Sequence, residues 1–201
     1  MNKIEDIRNK KLIRQLDFIE SEYKYTNEVV YEADKAFIES LNKILEKYPD
    51  IKKEYNKKVE VNISKKVKES INKNIESDDI EIDISVNHKI PTKIKKLYRE
   101  IVKLTHSDKV VDKKLNDLYV EATNFYSNID KIGIYKICDK LNIKYDVDKE
   151  DQELILNKIN LYKNKIKFLE STFTWVWLSE NDNNQKEKII LDFVRNKIKI
   201  K

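Results

Sequence analysis

The sequence predicts an all-α protein, and three observations carry that prediction. The 201 residues include one glycine and two prolines, which is too few turn formers for the tight turns of a β-sandwich or barrel. Hydrophobic residues make up 40% of the chain and charged residues 38%, so there is enough apolar material for a core. Apolar residues recur every three or four positions along most of the chain, as on one face of a helix.

The N-terminal segment, residues 1–58, is predicted to be a helical arm. Its apolar positions step by three or four through Leu12, Leu16, Ile19, Tyr23, Val30, Ala33, Phe37, Leu41, Ile44 and Tyr48. One long helix or a pair broken near residues 25–27 would satisfy this pattern. Pro49 ends the helix, because the residue before a proline avoids the helical region. We interpret the segment as a scaffold or coiled-coil arm, with a helix that binds a protein partner as the alternative.

Residues 59–90 are predicted to be a linker or a small extended segment. Residues 51–78, which overlap this stretch, are rich in Lys and Asn and indicate a weak helix or a linker. Ile80, Ile82 and Ile84 alternate with acidic and polar residues, and residues 59–64 alternate as well, which is the period of a strand. A lone strand needs a partner, so the pattern allows a small β-hairpin near residues 59–87.

Residues 91–143 contain the clearest helical signals. A helix opens at Pro91 and Thr92, and its apolar face is Ile94, Leu97, Tyr98, Ile101 and Val102. A polar loop follows at residues 109–114. The next helix carries Leu115, Leu118, Tyr119, Ala122, Phe125, Tyr126 and Ile129. A shorter helix is predicted over roughly residues 131–142, with Gly133 near its start. We therefore predict one compact helical domain here.

The C-terminal segment, residues 150–201, is predicted to be a second helical region. One long helix is expected from about residue 151 to residue 179, followed by a turn over residues 180–185. Asp182 or Asn184 would cap the terminal helix that follows this turn. We interpret Trp175 and Trp177 as core residues, with anchoring of a partner as the alternative.

Charge and composition exclude several classes of protein. The net charge is +5, from 41 basic and 36 acidic residues that are interspersed along the chain. Positive charge is not concentrated, which argues against a nucleic-acid-binding protein. The single cysteine, Cys138, fits a reducing compartment, and no apolar run approaches the roughly 18 residues that span a bilayer. We therefore expect a cytoplasmic protein without a membrane partner.

The sequence offers no catalytic constellation. His88, His106 and Cys138 lack the spacing of a metal site. A single glycine excludes a glycine-rich phosphate loop. Ser107 and Asp108 follow His106 directly and cannot fold back onto it as a catalytic triad does. We predict a protein that is not an enzyme and has no metal or cofactor.

Residues 91–130 resemble the J-domain, the module by which DnaJ-type co-chaperones engage Hsp70. In that family, an antiparallel helix pair is joined by a loop that begins with His-Pro-Asp, and the first helix is basic on its exposed face. The stretch KIKKLYREIVKLTHSDK, residues 93–109, occupies these positions here. Tyr98, Arg99 and Lys103 match the usual Tyr-Arg and later lysine of the basic helix. The apolar spacing of the second helix is matched by Tyr119, Ala122, Phe125, Tyr126 and Ile129.

The resemblance implies a surface for binding an Hsp70-type chaperone. Its basic side chains would face an acidic groove of the partner, aiding encounter and orientation. His106 and Asp108, exposed polar groups at the end of the helix, would bond the backbone and an arginine of the partner. Ser107 lies between them and completes the three-residue site. The implied basic residues are Lys93, Lys95, Lys96, Arg99, Lys103 and Lys109. The terminal helices would hold a client or another protein partner.

Two departures from the family pattern define the alternative. Ser107 stands where the family has proline, which fixes one backbone dihedral and removes a donor, so serine leaves the loop freer. The family's short first helix is not evident before Pro91, and the N-terminal helices or residues 78–87 would pack in its place. The alternative is a structural or assembly protein that retains a J-like fold without stimulating Hsp70. The layout is similar to short J-like proteins of large DNA viruses and marine phages, which implies the host cytoplasm or the virus particle.

Overall fold

The protein is helical in every region that the computed structural model describes, namely residues 3–60, 90–106 and 112–199. The all-α prediction is therefore confirmed, and the described residues contain no strand. The proposed β-hairpin falls on residues 59–87, of which only 59 and 60 are described, and both are helical. The helices are α1 (Lys3–Lys47), α2 (residues 49–60), α3 (Thr92–Thr105), α4 (Lys113–Ser127), α5 (Lys131–Lys140), α6 (Lys149–Glu170), α7 (Phe173–Ser179) and α8 (Asn183–Lys199).

Most of the N-terminal arm is one continuous helix of 45 residues, Lys3–Lys47. Residues 25–27 are helical, so the single long helix is the correct choice between the two predicted alternatives. The helix stops before Pro49 as predicted, and α2 begins at that proline. Proline suits the first position of a helix, because its missing N–H would have no intrahelical partner there.

The prediction of one helix over residues 151–179 is wrong. α6 ends at Glu170, and a separate helix, α7, begins at Phe173. The side-chain hydroxyls of Ser171 and Thr172 donate back to the carbonyl oxygens of Phe168 and Leu169, each at 2.7 Å. The Thr172 hydroxyl also accepts a hydrogen bond from the backbone N–H of Trp175 at 3.3 Å, which caps α7. These side-chain bonds compete with the helical ladder, whereas the apolar spacing continues through the break.

The cap predicted for the terminal helix is confirmed at Asp182. Its carboxylate accepts hydrogen bonds from the backbone N–H groups of Asn184, at 2.6 Å, and Gln185, at 3.1 Å. These donors lie in the first turn of α8 and have no intrahelical acceptor. Of the two candidates, Asp182 is the residue that starts the helix.

The contacts divide the chain into two compact units. The first unit contains Met1–Lys24 and Asn87–Lys165, and the second contains Tyr25–Val86 and Ile166–Lys201. The division drawn from the sequence, into an arm, a linker, a helical domain and a C-terminal helical region, remains a prediction. Among the described residues, no helix combines the length with the apolar character that crossing a bilayer requires.

The core of the first unit contains residues from the first helix of the chain together with residues from α3 to α6. Ile13 and Leu16 of α1 are buried in the same cluster as residues of α3, α5 and α6. The segment between α5 and α6 adds three buried residues that alternate with exposed ones. The fully buried members of the cluster include Leu16, Ile101, Ala122, Ile134, Tyr135, Ile137, Cys138 and Ile155. The first part of α1 therefore packs in the same core as α3 and α5, whereas residues 78–87, the other predicted candidate for that place, lie outside the described residues.

The core of the second unit is built on aromatic contacts. The Phe37 ring meets Trp177 edge-on at 5.7 Å and Phe193 edge-on at 5.3 Å between centroids. Ile190 and Val194 of α8 are fully buried beside them. Trp177 is only 8% exposed, which confirms its interpretation as a core residue.

Two helices in the first unit end on residues with left-handed backbone. Ile129 follows α4 with φ 55°, and Asn142 follows α5 with φ 54°. In each case the next backbone N–H reaches back into the helix, from Asp130 to the Phe125 carbonyl at 2.8 Å and from Ile143 to the Cys138 carbonyl at 2.9 Å. This is the Schellman ending, which favours Gly or Asn. Asn142 fits it, whereas Ile129, predicted to lie on the helix face, bears the cost of a β-branched side chain there.

We expect Asn142→Ile to lower the free energy of unfolding by about 1–2 kcal/mol, because a β-carbon branch is disfavoured in left-handed backbone. Asn142 is exposed, so the change removes no buried contact. Urea denaturation followed by circular dichroism measures the loss. Lys144→Ile is the matched control, since Lys144 is exposed, lies two residues away and has no positive φ. An equal loss in both variants would contradict the backbone explanation.

Candidate partner-binding surface

α3 and α4 form an antiparallel helical hairpin. The Tyr98 ring stacks on Tyr126, with centroids 4.1 Å apart and planes inclined by 12°. The Tyr98 hydroxyl also lies 3.2 Å from the Thr123 hydroxyl. Nearer the loop, the His106 ring meets Tyr119 edge-on at 5.0 Å. Residue numbers thus rise along α3 as the numbers of the contacting residues fall along α4, which is the arrangement of two antiparallel helices.

The hairpin is supported by α5, which packs against both of its helices. Gly133 of α5 lies directly under Phe125 of α4, and a β-carbon at Gly133 would come within 2.3 Å of the ring carbon Cγ. The only glycine in the chain is thus required for a close helix crossing. Sequence reasoning noted this glycine only as tolerable near a helix end. The contact that requires glycine is between two helices, so the spacing of residues near Gly133 in the sequence cannot predict it.

The outward face of α3 carries three exposed cations, Lys96, Arg99 and Lys103, which we call the basic strip. They are spaced i, i+3 and i+7, and they lie opposite the buried residues Ile94 and Ile101. Within the described ranges no carboxylate pairs with any of the three. Their charge is therefore available to a partner. Lys95, also predicted, is half-buried at the edge of this face.

Lys93 is placed differently from the other predicted basic residues. Its Nζ lies 3.6 Å from the Asp148 carboxylate and 5.5 Å from the centroid of the Tyr135 ring. The pKa of Asp148 is lowered, first by the hydrogen bond from the Asp151 backbone N–H and then by the charges of Lys93 and Lys131. Lys93 is thus engaged within the first unit and does not join the basic strip.

His106 closes α3 at the end of the basic strip. Its backbone N–H donates to the Val102 carbonyl at 3.0 Å, and its own backbone is extended, with φ −65° and ψ 134°. The chain therefore leaves the helix at this residue, as predicted. Ser107, Asp108 and Lys109 lie outside the described residues, so their part in the site stays a prediction.

The first unit contains a buried polar cluster that was not predicted from the sequence. Asp151 is 1% exposed, and its carboxylate accepts hydrogen bonds from the Tyr135 hydroxyl at 2.7 Å and from Lys131 Nζ at 2.8 Å. Burial, followed by the bond to Asp151, raises the pKa of Tyr135 far above its usual value. The hydrogen bond to Asp151 raises the pKa of Lys131. The sequence predicts a helix that begins at about Asp151, but it gives no indication that the carboxylate is buried.

A second charged cluster ties α5 to α1. Lys136 contacts Glu20 and lies 3.2 Å from Asp17, while Arg14 Nε donates to Asp139 at 2.8 Å. Burial acts to lower the pKa of Lys136, but the two carboxylates outweigh it and the pKa is raised. These pairs join α5 to the part of α1 that belongs to the first unit.

The thiol of Cys138 and the arrangement of His, Cys, Asp and Glu side chains bear on nucleophilic and metal chemistry. Cys138 is fully buried, and burial raises the pKa of its thiol to about 12, so the thiol stays protonated near neutral pH. Among the described residues, no group of three or more His, Cys, Asp or Glu side chains is arranged to hold a metal ion. The hairpin surface is the stronger candidate for function.

Comparison of the chain with protein-family models, with curated proteins and with solved structures gives no match. Inference about function therefore depends on the residues of the hairpin and on their geometry. The basic strip, the stacked tyrosines and His106 are the features available for it.

Proposed function

We propose that the protein is a J-domain-like co-chaperone or adaptor that engages an Hsp70-type chaperone through α3 and the loop beginning at His106. The observation that carries the proposal is the continuity of the basic strip with His106 on one antiparallel hairpin. The resemblance of residues 91–130 to the J-domain supplies the identity of the partner. The hairpin supports the proposal because it turns the cations outward and keeps the apolar face inside.

The basic strip suits an acidic groove on a partner. Its three cations span seven positions of α3, which corresponds to about 10 Å along a helix axis. Exposed charges of this kind mainly raise the rate of association and set the orientation of the complex. Arg99 adds a planar guanidinium that can bind a carboxylate in bidentate fashion, which lysine cannot do.

The aromatic contacts of the hairpin would hold this surface in place. Tyr98 is adjacent to Arg99 and is fixed by its stack on Tyr126 and its bond to Thr123. His106 is held by its edge-on contact with Tyr119. A binding group on a rigid support loses less conformational entropy when a partner docks.

The proposal is tested by single-turnover ATP hydrolysis of an Hsp70 with the wild-type protein and two variants. We expect Ser107→Pro to stimulate hydrolysis more than the wild type, since proline restricts the loop. We expect His106→Gln to remove whatever stimulation the wild type gives. If hydrolysis responds to none of these proteins, the co-chaperone form of the proposal is wrong for that Hsp70.

The adaptor form is tested by direct binding to the same Hsp70. Arg99→Glu and Lys103→Glu are each expected to weaken binding at least tenfold at low salt, with a smaller effect at high salt. Lys158→Glu and Lys163→Glu are matched controls, because both lysines are exposed on α6 of the same unit. Equal weakening by the controls would indicate non-specific charge attraction. Absence of binding in every case would favour the assembly protein instead.

A further inference from the structure

α6 carries exposed apolar side chains in the part of the helix that belongs to the first unit. Leu154 and Leu161 are 47% and 51% exposed, although both are large and apolar. They are seven positions apart, so they lie on the same side of the helix, about 10 Å from each other along its axis. The same helix packs into the core through Ile155 and Ile159, which are buried. The two leucines therefore remain available to a further surface.

Residues of opposite charge flank the two leucines at equal distances. Glu150 precedes Leu154 by four positions, and Lys165 follows Leu161 by four positions. Steps of four and seven positions keep all four side chains on one face of the helix, which we call the α6 stripe. All four belong to the first unit. The α6 stripe is thus symmetric in position about its centre, with a negative charge at one end and a positive charge at the other.

Both charges of the α6 stripe are available to a partner. Among the described residues, no cation forms an ion pair with Glu150 and no carboxylate forms one with Lys165. The Lys165 Nζ lies 5.3 Å from the centroid of the Tyr23 ring and 5.4 Å from that of the Tyr162 ring. These rings hold the ammonium group in place without neutralising its charge.

We infer that the α6 stripe binds a second copy of this chain in antiparallel orientation. A twofold axis through the centre of the stripe places Leu154 against Leu161 of the second copy, and Glu150 against Lys165 of the second copy. The axis repeats each contact, so the dimer gains two leucine contacts and two ion pairs. Parallel pairing would instead set like charges opposite each other at both ends. A second copy is the partner that fits because the surface is complementary to itself.

The centre of this pairing is polar. The axis passes between Asn157 and Lys158, and both residues are exposed. Polar residues in the middle of a helix pair weaken the association and fix its register. The paired stretch covers only about four turns of helix. We therefore expect a reversible dimer with a dissociation constant of about 100 µM, at the weak end for specific interfaces. The inference does not depend on the proposed function of the hairpin.

Sedimentation equilibrium of the full chain, from about 5 µM to about 1 mM, tests for this dimer. Leu161→Gln is expected to raise the dissociation constant about tenfold, because each dimer loses two apolar contacts. Leu156→Gln is the matched control, since Leu156 is 49% exposed on another face of α6. A chain that stays monomeric at every concentration would overturn the inference and leave the α6 stripe to a different protein. Equal weakening by both variants would overturn it as well.

Exchange of charges tests the antiparallel orientation. Glu150→Lys and Lys165→Glu are each expected to weaken the dimer about tenfold at low salt, because each creates two pairs of like charge. A mixture of these two variants should associate like the wild type, and so should the double variant, because opposite charges face each other again. Lys163→Glu, on another exposed face of α6, is the control. Circular dichroism checks that every variant is folded. If the mixture and the double variant associate as weakly as the single variants, antiparallel pairing is refuted.

Discussion

Asp151→Ala is expected to lower the free energy of unfolding by about 3 kcal/mol, because it leaves two polar groups without their acceptor. The Tyr135 hydroxyl loses a bond of 2.7 Å in a fully buried position, and Lys131 loses its ion pair. The Lys131 side chain is 29% exposed and can be hydrated again once its partner is removed. The expected loss of stability is therefore at the lower end of the range for breaking a buried ion pair. Urea denaturation at neutral pH measures the change.

Two further variants separate the contributions at this cluster. Asp151→Asn keeps an oxygen that can accept from Tyr135 and removes the charge that pairs with Lys131, so a smaller loss of about 1 kcal/mol is expected. Asp146→Ala is the control for the acidic stretch, because Asp146 is exposed, and its effect should stay within about 0.5 kcal/mol. If Asp151→Ala cost no more than Asp146→Ala, the cluster would not support the fold.

Gly133→Ala is expected to destabilise the protein by about 2 kcal/mol, although alanine favours a helix. The added β-carbon would lie 2.3 Å from Phe125 Cγ, which sits near the backbone and cannot swing away easily. Overpacking of this kind costs about 1–3 kcal/mol, and the better helix propensity of alanine returns less than 1 kcal/mol. Thermal or urea denaturation of the variant measures the net loss.

Phe125, the residue that contacts Gly133 where the two helices cross, supplies the control. Phe125→Leu removes the ring that meets the new β-carbon, so the double variant Gly133→Ala, Phe125→Leu should be more stable than the sum of the single losses predicts. Phe125→Leu alone should cost about 1 kcal/mol, since Phe125 is only partly buried. Strictly additive losses would show that the two residues do not meet.

The helices could be predicted from sequence because their signals are local. The apolar spacing indicated α3 and α4, the Asp182 cap indicated the start of α8, and Pro49 indicated the end of α1. The break after Glu170 could not be predicted in this way, because the apolar positions continue across it. The hydroxyls of Ser171 and Thr172 produce the break through bonds to the backbone.

The candidate surface was only partly predictable from the same information. Lysine and arginine at helical spacing indicated a basic face, and Arg99 and Lys103 lie on it. Lys93 has the same residue type and nearly the same spacing, yet it pairs with Asp148, 55 positions along the chain. Local spacing cannot reveal a partner that folding brings from so far away.

By itself, the sequence determined that the described residues are helical, that α1 ends before Pro49, that α3 runs from Thr92 to the residue before His106, and which face of α3 is basic. These properties depend on residues within a few positions of one another. Only the tertiary structure decided that Asp151 is buried and bonded to Tyr135, that Gly133 lies against Phe125, and that Trp177 packs in the core of the second unit. Those outcomes depend on packing between helices, which brings distant residues together and removes some of them from water.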